Sequence, residues 1–184
     1  MAKRGAAPTW TDVKVALAGF DRMGLLGLVQ DLYAASKDNQ AFLHARFALG
    51  EDPLKPYKET LKRWLSPDWR RNGDVSVSKA KQAISSYKNA VGDPAGLTEL
   101  LVYGCECAAG FSAEFGYADE PFFNTLLWMF EEALQVSGQL PENDREVVLG
   151  RLQGVCDLSD FGYGVGDTME SLLAAYEAEH PEKE

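Results

Sequence analysis

Histidine, cysteine and long apolar runs are the scarce features of this 184-residue chain. The only histidines are His44 and His180, and the only cysteines are Cys105, Cys107 and Cys156. Cys105 and Cys107 stand two apart on a helical stretch, so they point to nearly opposite faces and can share neither a metal nor a disulfide. The thiols are therefore expected to act as small apolar fillers, and neither a metal nor a cofactor is expected. No run approaches the ~18 apolar residues of a membrane span, and the basic start "MAKRGAAPTWTDV" lacks the apolar stretch of a secretory signal. A cytoplasmic protein outside the membrane is the expectation. Missing too are a Gly-x-Ser-x-Gly elbow, a phosphate loop, a dinucleotide fingerprint and a paired His/Cys, so no catalytic residue is assigned. The glycine-rich "GYGVGD" follows a helix rather than a strand, which removes the context a phosphate cradle needs.

What is present is ordinary globular material: 46% hydrophobic and 25% charged residues at a single-domain length. The net charge of −10 is unevenly spread. Residues 1–54 carry six acids and six bases, residues 55–88 nine bases against three acids, and residues 93–184 nineteen acids against three bases. Such a dipole either closes on itself within the fold or offers its acidic half to a basic protein partner. The same acidic half argues against nucleic acid, although Trp64 and Trp69 interleave with Arg63, Arg70 and Arg71. Those cations can equally stack on the chain's own indoles.

Apolar residues recur at helical spacing throughout, and no long segment alternates as a strand does. Thr9 to Asp12 reads as a capping box, and Asp21 caps a second helix through Leu25, Leu28, Val29 and Leu32. A third helix, after "SKDN", is marked by Phe42, Leu43, Phe47 and Leu49. A short basic helix covers Leu54 to Leu65, and "SPDWRRNGD" is a loop. Ser78 is read as the next cap, over a stripe of Ala80, Ala83, Ile84, Tyr87 and Val91. Asp93-Pro94 opens the longest helix, to about Glu114; Pro121 and Pro141 open two more, and Asp167 with Glu170 caps the last. This predicts one all-α domain of about eight helices: N-terminal helices over 9–65, a loop at 66–77, a helical pair over 78–113 and further helices over 114–184.

The tripeptide Phe-Gly-Tyr occurs twice, in "EFGYADEPFF" at 114–123 and "DFGYGVGDTM" at 160–169. Chance predicts roughly 0.03 further copies, few enough to favour a true 46-residue repeat. At the same offset Gly104 meets Gly150, Leu126-Leu127 meets Leu172-Leu173, and Glu131 meets Glu177. Each unit reads as helix, loop, helix, so antiparallel hairpins stacked in a HEAT-like or TPR-like manner are expected. Gly116 and Gly162 suit left-handed helix ends, with Phe115 and Phe161 tucked back between helices and Tyr117 and Tyr163 half-buried.

The candidate binding residues follow from these loops. Glu114, Asp119, Glu120, Asp160 and Asp167 surround them, and such acids cap helices, meet a basic partner, or hold a cation or small ligand. Trp128 stands in the stripe Asn124, Trp128, Glu131, Gln135, opposite the core face of Phe122, Leu126, Met129, Phe130 and Ala133. It is either covered by a neighbouring element or left as a binding anchor. A protein-interaction or adaptor module is the leading expectation, with Tyr117, Trp128 and Tyr163 on its acidic side. The competing reading is an enzyme or small-ligand binder using the loop carboxylates.

The phrases "SKAKQAISSYK", "AEFGYADEPFFNTLLWMFEEAL" and "GYGVGDTMESLLAAYE" resemble the domain-of-unknown-function family 6155, whose members open with a helix like "LLGLVQDLYAASKDNQAFLHARF". The resemblance spans roughly residues 12–178. It implies a bacterial, cytoplasmic, all-helical protein without an assigned activity, and it transfers no functional residue.

Overall fold

The computed structural model describes residues 7–71, 73–158 and 162–180. Among them are nine α-helices and no strand: α1 (Trp10–Leu17), α2 (Arg22–Ala35), α3 (Lys37–Arg46), α4 (Lys55–Leu65), α5 (Val77–Ala90), α6 (Pro94–Phe115), α7 (Glu120–Ser137), α8 (Glu142–Cys156) and α9 (Val165–Glu179). No described helix is long and apolar enough to cross a membrane.

Local chemistry sets most boundaries. The Thr9 amide donates to the Asp12 carboxylate at 2.7 Å, and Asp21 and Asp93 accept from Gly24 and Gly96 at 2.7 and 2.8 Å. Gly92 and Gly116 take left-handed φ of 66° and 63°, which removes a Cβ clash and stops α5 and α6. Three caps differ from the sequence reading. Ser36 caps α3 through the Asn39 amide, so that helix starts inside "SKDN". Ser76, not Ser78, precedes α5. Gly164 precedes α9, which places Asp167 in the first turn, where it favours the helix dipole without capping it.

α6 is buried over most of its circumference, at Leu97, Leu100, Leu101, Val102, Cys105, Ala108 and Phe111 among others, with a partly exposed strip at Glu99, Tyr103, Glu106 and Gly110. A helix with so broad an apolar surface has to be enclosed by several neighbours. α7 packs antiparallel to it: Phe111 meets Phe122 at a ring separation of 6.3 Å, and the Cys105 thiol lies 3.9 Å from the Leu126 carbonyl. The helices approach so closely at Gly104 that a Cβ there would stand 2.7 Å from Met129 Sδ. α4 and α5 form a second antiparallel pair through Tyr57 and Tyr87, with ring centres 5.3 Å apart. The pairs run parallel to one another, as Lys58–Glu99 and Lys88–Glu132, both 2.8 Å, show for α4–α6 and α5–α7. Ser137 and Tyr176 join α7 to α9 at 3.2 Å. Two rows result, α4–α6–α8 and α3–α5–α7–α9.

Part of the charge dipole is thereby closed internally. Arg151 of α8 donates to both Glu106 oxygens at 2.7 and 2.9 Å and also pairs with Glu99, which Lys58 of α4 grips from the other side. Burial alone would raise the Glu99 carboxyl, but the hydrogen bonds and charges of Lys58 and Arg151 outweigh it and hold the group below its ordinary 4.5.

The N-terminal helices are built differently. α2 and α3 pair through Tyr33 Oη and His44 Nε2 at 3.0 Å, and α3 reaches the stack through the Arg46 guanidinium, which donates to the Ala90 carbonyl at 3.0 Å. Ala45 is the only residue of α3 that is buried, and α1 and α2 bury none.

Two predictions follow from this packing. Gly104→Ala is expected to cost about 1–3 kcal/mol, because the enclosed Met129 has no room to yield. Its counterpart Gly150→Ala, whose Cβ meets open space, is expected to stabilise by about 0.5–1 kcal/mol; urea midpoints of the two variants give the comparison. In the ion-pair network, Arg151→Ala is expected to cost about 2 kcal/mol at neutral pH. The Glu99 contribution is present above its ordinary pKa and disappears as pH falls through the lowered folded-state value. Glu99→Gln should therefore be destabilised at neutral pH and show a flatter acid limb, measured by urea unfolding from neutrality down to about pH 3.

Candidate functional site

The two Phe-Gly-Tyr loops come together at one end of the stack. Phe111, at the end of α6, touches Phe115 and Tyr117 at ring separations of 5.1 and 5.4 Å. Tyr117 meets Phe122 edge-on at 5.0 Å, Phe122 meets Phe123 at 6.1 Å, and Phe123 meets Tyr163 at 6.0 Å. The start of α7 thus joins both loops in one aromatic row. Its inner members, Phe111, Phe122 and Phe123, are buried, whereas Phe115 is 42% and Tyr163 80% exposed at its ends.

The loops are not equivalent in detail. Phe115 had been expected between the helices, but its ring lies half outside because Phe111 and Phe122 already fill that space. In the second loop Gly162 is not left-handed; Tyr163 and Gly164 are, at φ 64° and 68°. A left-handed tyrosine is backbone strain of about 1–2 kcal/mol, carried here by a ring that is mostly in solvent. Phe161 and Asp160 lie outside the described residues.

Each acid has its own setting. Asp119 caps α7, accepting from the Phe122 amide at 3.3 Å. Glu114, Glu120 and Asp167 are exposed and make no ion pair among the described residues. Tyr117 is half-buried, and burial, reinforced by the Asp119 charge, pushes its phenol up, so it stays a neutral hydrogen-bonding group. Among the described residues no group of three or more His, Cys, Asp or Glu side chains could hold a metal ion. An open apolar groove of about 490 Å³ lies elsewhere, between Ala45, Leu54, Tyr87, Val91 and Gly96, and includes none of these acids.

The remaining candidates are engaged within the chain. Trp128 is half-buried against the core, with the Lys81 ammonium 5.1 Å from its ring centre. Trp64 carries Lys79 at 3.7 Å and Arg63 at 4.8 Å, so two of the chain's own cations occupy the surface a base would stack on. Burial raises the Cys107 and Cys156 thiols to about 11 and pushes the enclosed Cys105 thiol well up too, so none supplies a thiolate near neutrality.

The largest unsatisfied surface is one that functional reasoning from the sequence missed. Trp10, Val13 and Val15 on α1, Phe20 in the turn, Met23, Leu25, Leu26, Val29, Leu32 and Tyr33 on α2, and Phe42, Phe47 and Leu49 at α3 are all exposed. Trp10 and Met23 are 65% and 71% accessible. The signal was legible in α2, whose turns leave few polar positions: "RMGLLGLVQDLYAA" has just Arg22, Gln30 and Asp31. A helix with so narrow a polar face has to be covered on more than one side.

No protein-family model, no curated protein and no solved structure matches the chain.

Proposed function

We propose that this protein is a protein-interaction module, a stack of helical hairpins whose N-terminal helices α1 to α3 form the binding face. The observation that carries this reading is the contrast between the closed core of α4 to α9 and the thirteen large apolar side chains exposed between Trp10 and Leu49. So many exposed large apolar side chains in one segment cost a chain in water unless a partner covers part of them. The resemblance to family 6155, for which no activity is assigned, is compatible with this reading and adds nothing to it. The carboxylates beside the loops give an enzyme or cation-binder reading no comparable support, because they are separately exposed or used as caps.

A second binding edge is favoured by the aromatic row. Exposed Phe115 and Tyr163 offer apolar area, and Glu114, Glu120 and Asp167 surround them with charge that no described base neutralises. A basic, partly apolar segment of another protein matches that chemistry.

The α2 stripe serves binding rather than folding if Leu26→Glu with Leu32→Glu shifts stability by no more than about 0.5 kcal/mol. That is measured by urea unfolding at dilution. A loss beyond about 2 kcal/mol would place the stripe in the protein's own core and remove the basis of the proposal. For the aromatic edge, titration of a fluorescent Arg/Lys-rich peptide should show binding that weakens with salt. Combining Tyr163→Ser with Glu120→Gln should weaken it at least about tenfold. Binding that ignores both changes would reject the edge.

A further inference from the structure

From the arrangement of α1 and α2 we infer that the occupant of the N-terminal apolar face is a second copy of this chain. The inference rests on the reading of α1 to α3 as a binding face and names its partner. The exposed stripe of α2 is palindromic about Val29: Leu25 and Leu26 stand four and three residues before it, Leu32 and Tyr33 three and four after, with Tyr33, whose hydroxyl meets His44 of α3, 37% exposed. On a helix these five positions share one face. Two such helices crossing antiparallel about a two-fold axis through Val29 superpose the stripe on its own image, which is what an isologous interface requires. The Leu25 end of each helix then meets the Tyr33 end of the other, and the turn with Phe20 and the short α1 flank the contact.

Size and charge fit the same occupant. Complete cover of the ten exposed side chains from Trp10 to Tyr33 would remove at most roughly 800–1,000 Å² from each chain, enough for the ~800 Å² that a standard stable interface takes from each partner. The face is electrically neutral within one charge: Asp12, Asp21 and Asp31 against Lys14 and Arg22. Two copies meeting there bring no charged patches together, while the acidic segments from residue 93 onward stay with the rest of the stack. A lipid surface fits less well. Helices that lie on membranes line their polar side with Lys and Arg, and this chain carries −10 overall toward any anionic headgroup. A strongly basic partner would find its complement at the acidic end of the chain rather than on this face.

The test is sedimentation velocity of the full chain between about 0.1 and 100 μM, beside Leu25→Glu with Val29→Glu. Leu25 and Val29 are 40% and 43% exposed on a helix with no fully buried residue, so far-UV circular dichroism should match the wild type and melting should stay close to it. The expected result is a wild-type dimer and a variant whose self-association is at least about 100-fold weaker. Two further readouts on the same samples are fluorescence of an apolar dye and co-sedimentation with phosphatidylcholine vesicles, with and without phosphatidylserine. A monomeric wild type that lights the dye, with the signal lost in the variant, overturns self-pairing but leaves the face open for another protein. A monomer that travels with vesicles overturns self-pairing in favour of a lipid surface. A monomer that leaves the dye dark, as the variant does, removes the binding face and the inference together.

Discussion

α6 is apolar over most of its circumference, and the architecture follows from the need to enclose all but the strip that carries Glu99, Tyr103 and Glu106. One neighbour covers only one stripe of a helix, so α4, α5, α7 and α8 each take a share of its surface. The closest of these approaches is set by Gly104, which lets the α7 backbone come near enough for Met129 to fill the gap. Because α7 is locked there, its first turn is placed as well, and Phe122 and Phe123 are carried to the end of the stack where the two loops meet.

Charge organises the outside of this core. The basic α4 and α5 lie against the acidic α6 and α7, and Arg151 reaches back from α8 to complete the network at Glu99 and Glu106. Each of these pairs joins one hairpin to the next, so they fix how the hairpins line up more than they drive burial. The cations left over sit on indole rings, Lys79 on Trp64 and Lys81 on Trp128. What stays unneutralised is therefore acidic and concentrated toward the later helices.

Seen together, the molecule has a closed body and two open ends. The acidic end presents exposed Phe115 and Tyr163, the latter in a left-handed conformation that costs backbone strain. The N-terminal end presents nearly neutral helices whose large apolar side chains stay exposed among the described residues. The two surfaces differ in chemistry as well as position, one acidic and edged with aromatic rings, the other apolar and nearly neutral.

Local signals in the chain determined its helical character, most boundaries and the α5 and α7 core stripes. Caps such as Asp21, Asp93 and Asp119, and glycines such as Gly92 and Gly116, act within a turn of themselves, so they can be recognised without the rest of the fold. Where two neighbours competed for a cap, as Ser76 with Ser78 or Gly164 with Asp167, only the path of the incoming chain decided. The repeated Phe-Gly-Tyr phrase was plain in the sequence, yet its two copies differ: Gly104 is enclosed where Gly150 faces open space, and Leu101 is buried where Val147 is exposed. Burial depends on which neighbours arrive, and the last hairpin of a stack lacks the layer that covers an inner one. For the same reason Leu25, Val29 and Leu32, which recur at helical spacing in the sequence, stand exposed in the fold. The residues alone establish that α2 seeks apolar cover; the tertiary structure decides that nothing within the described chain provides it.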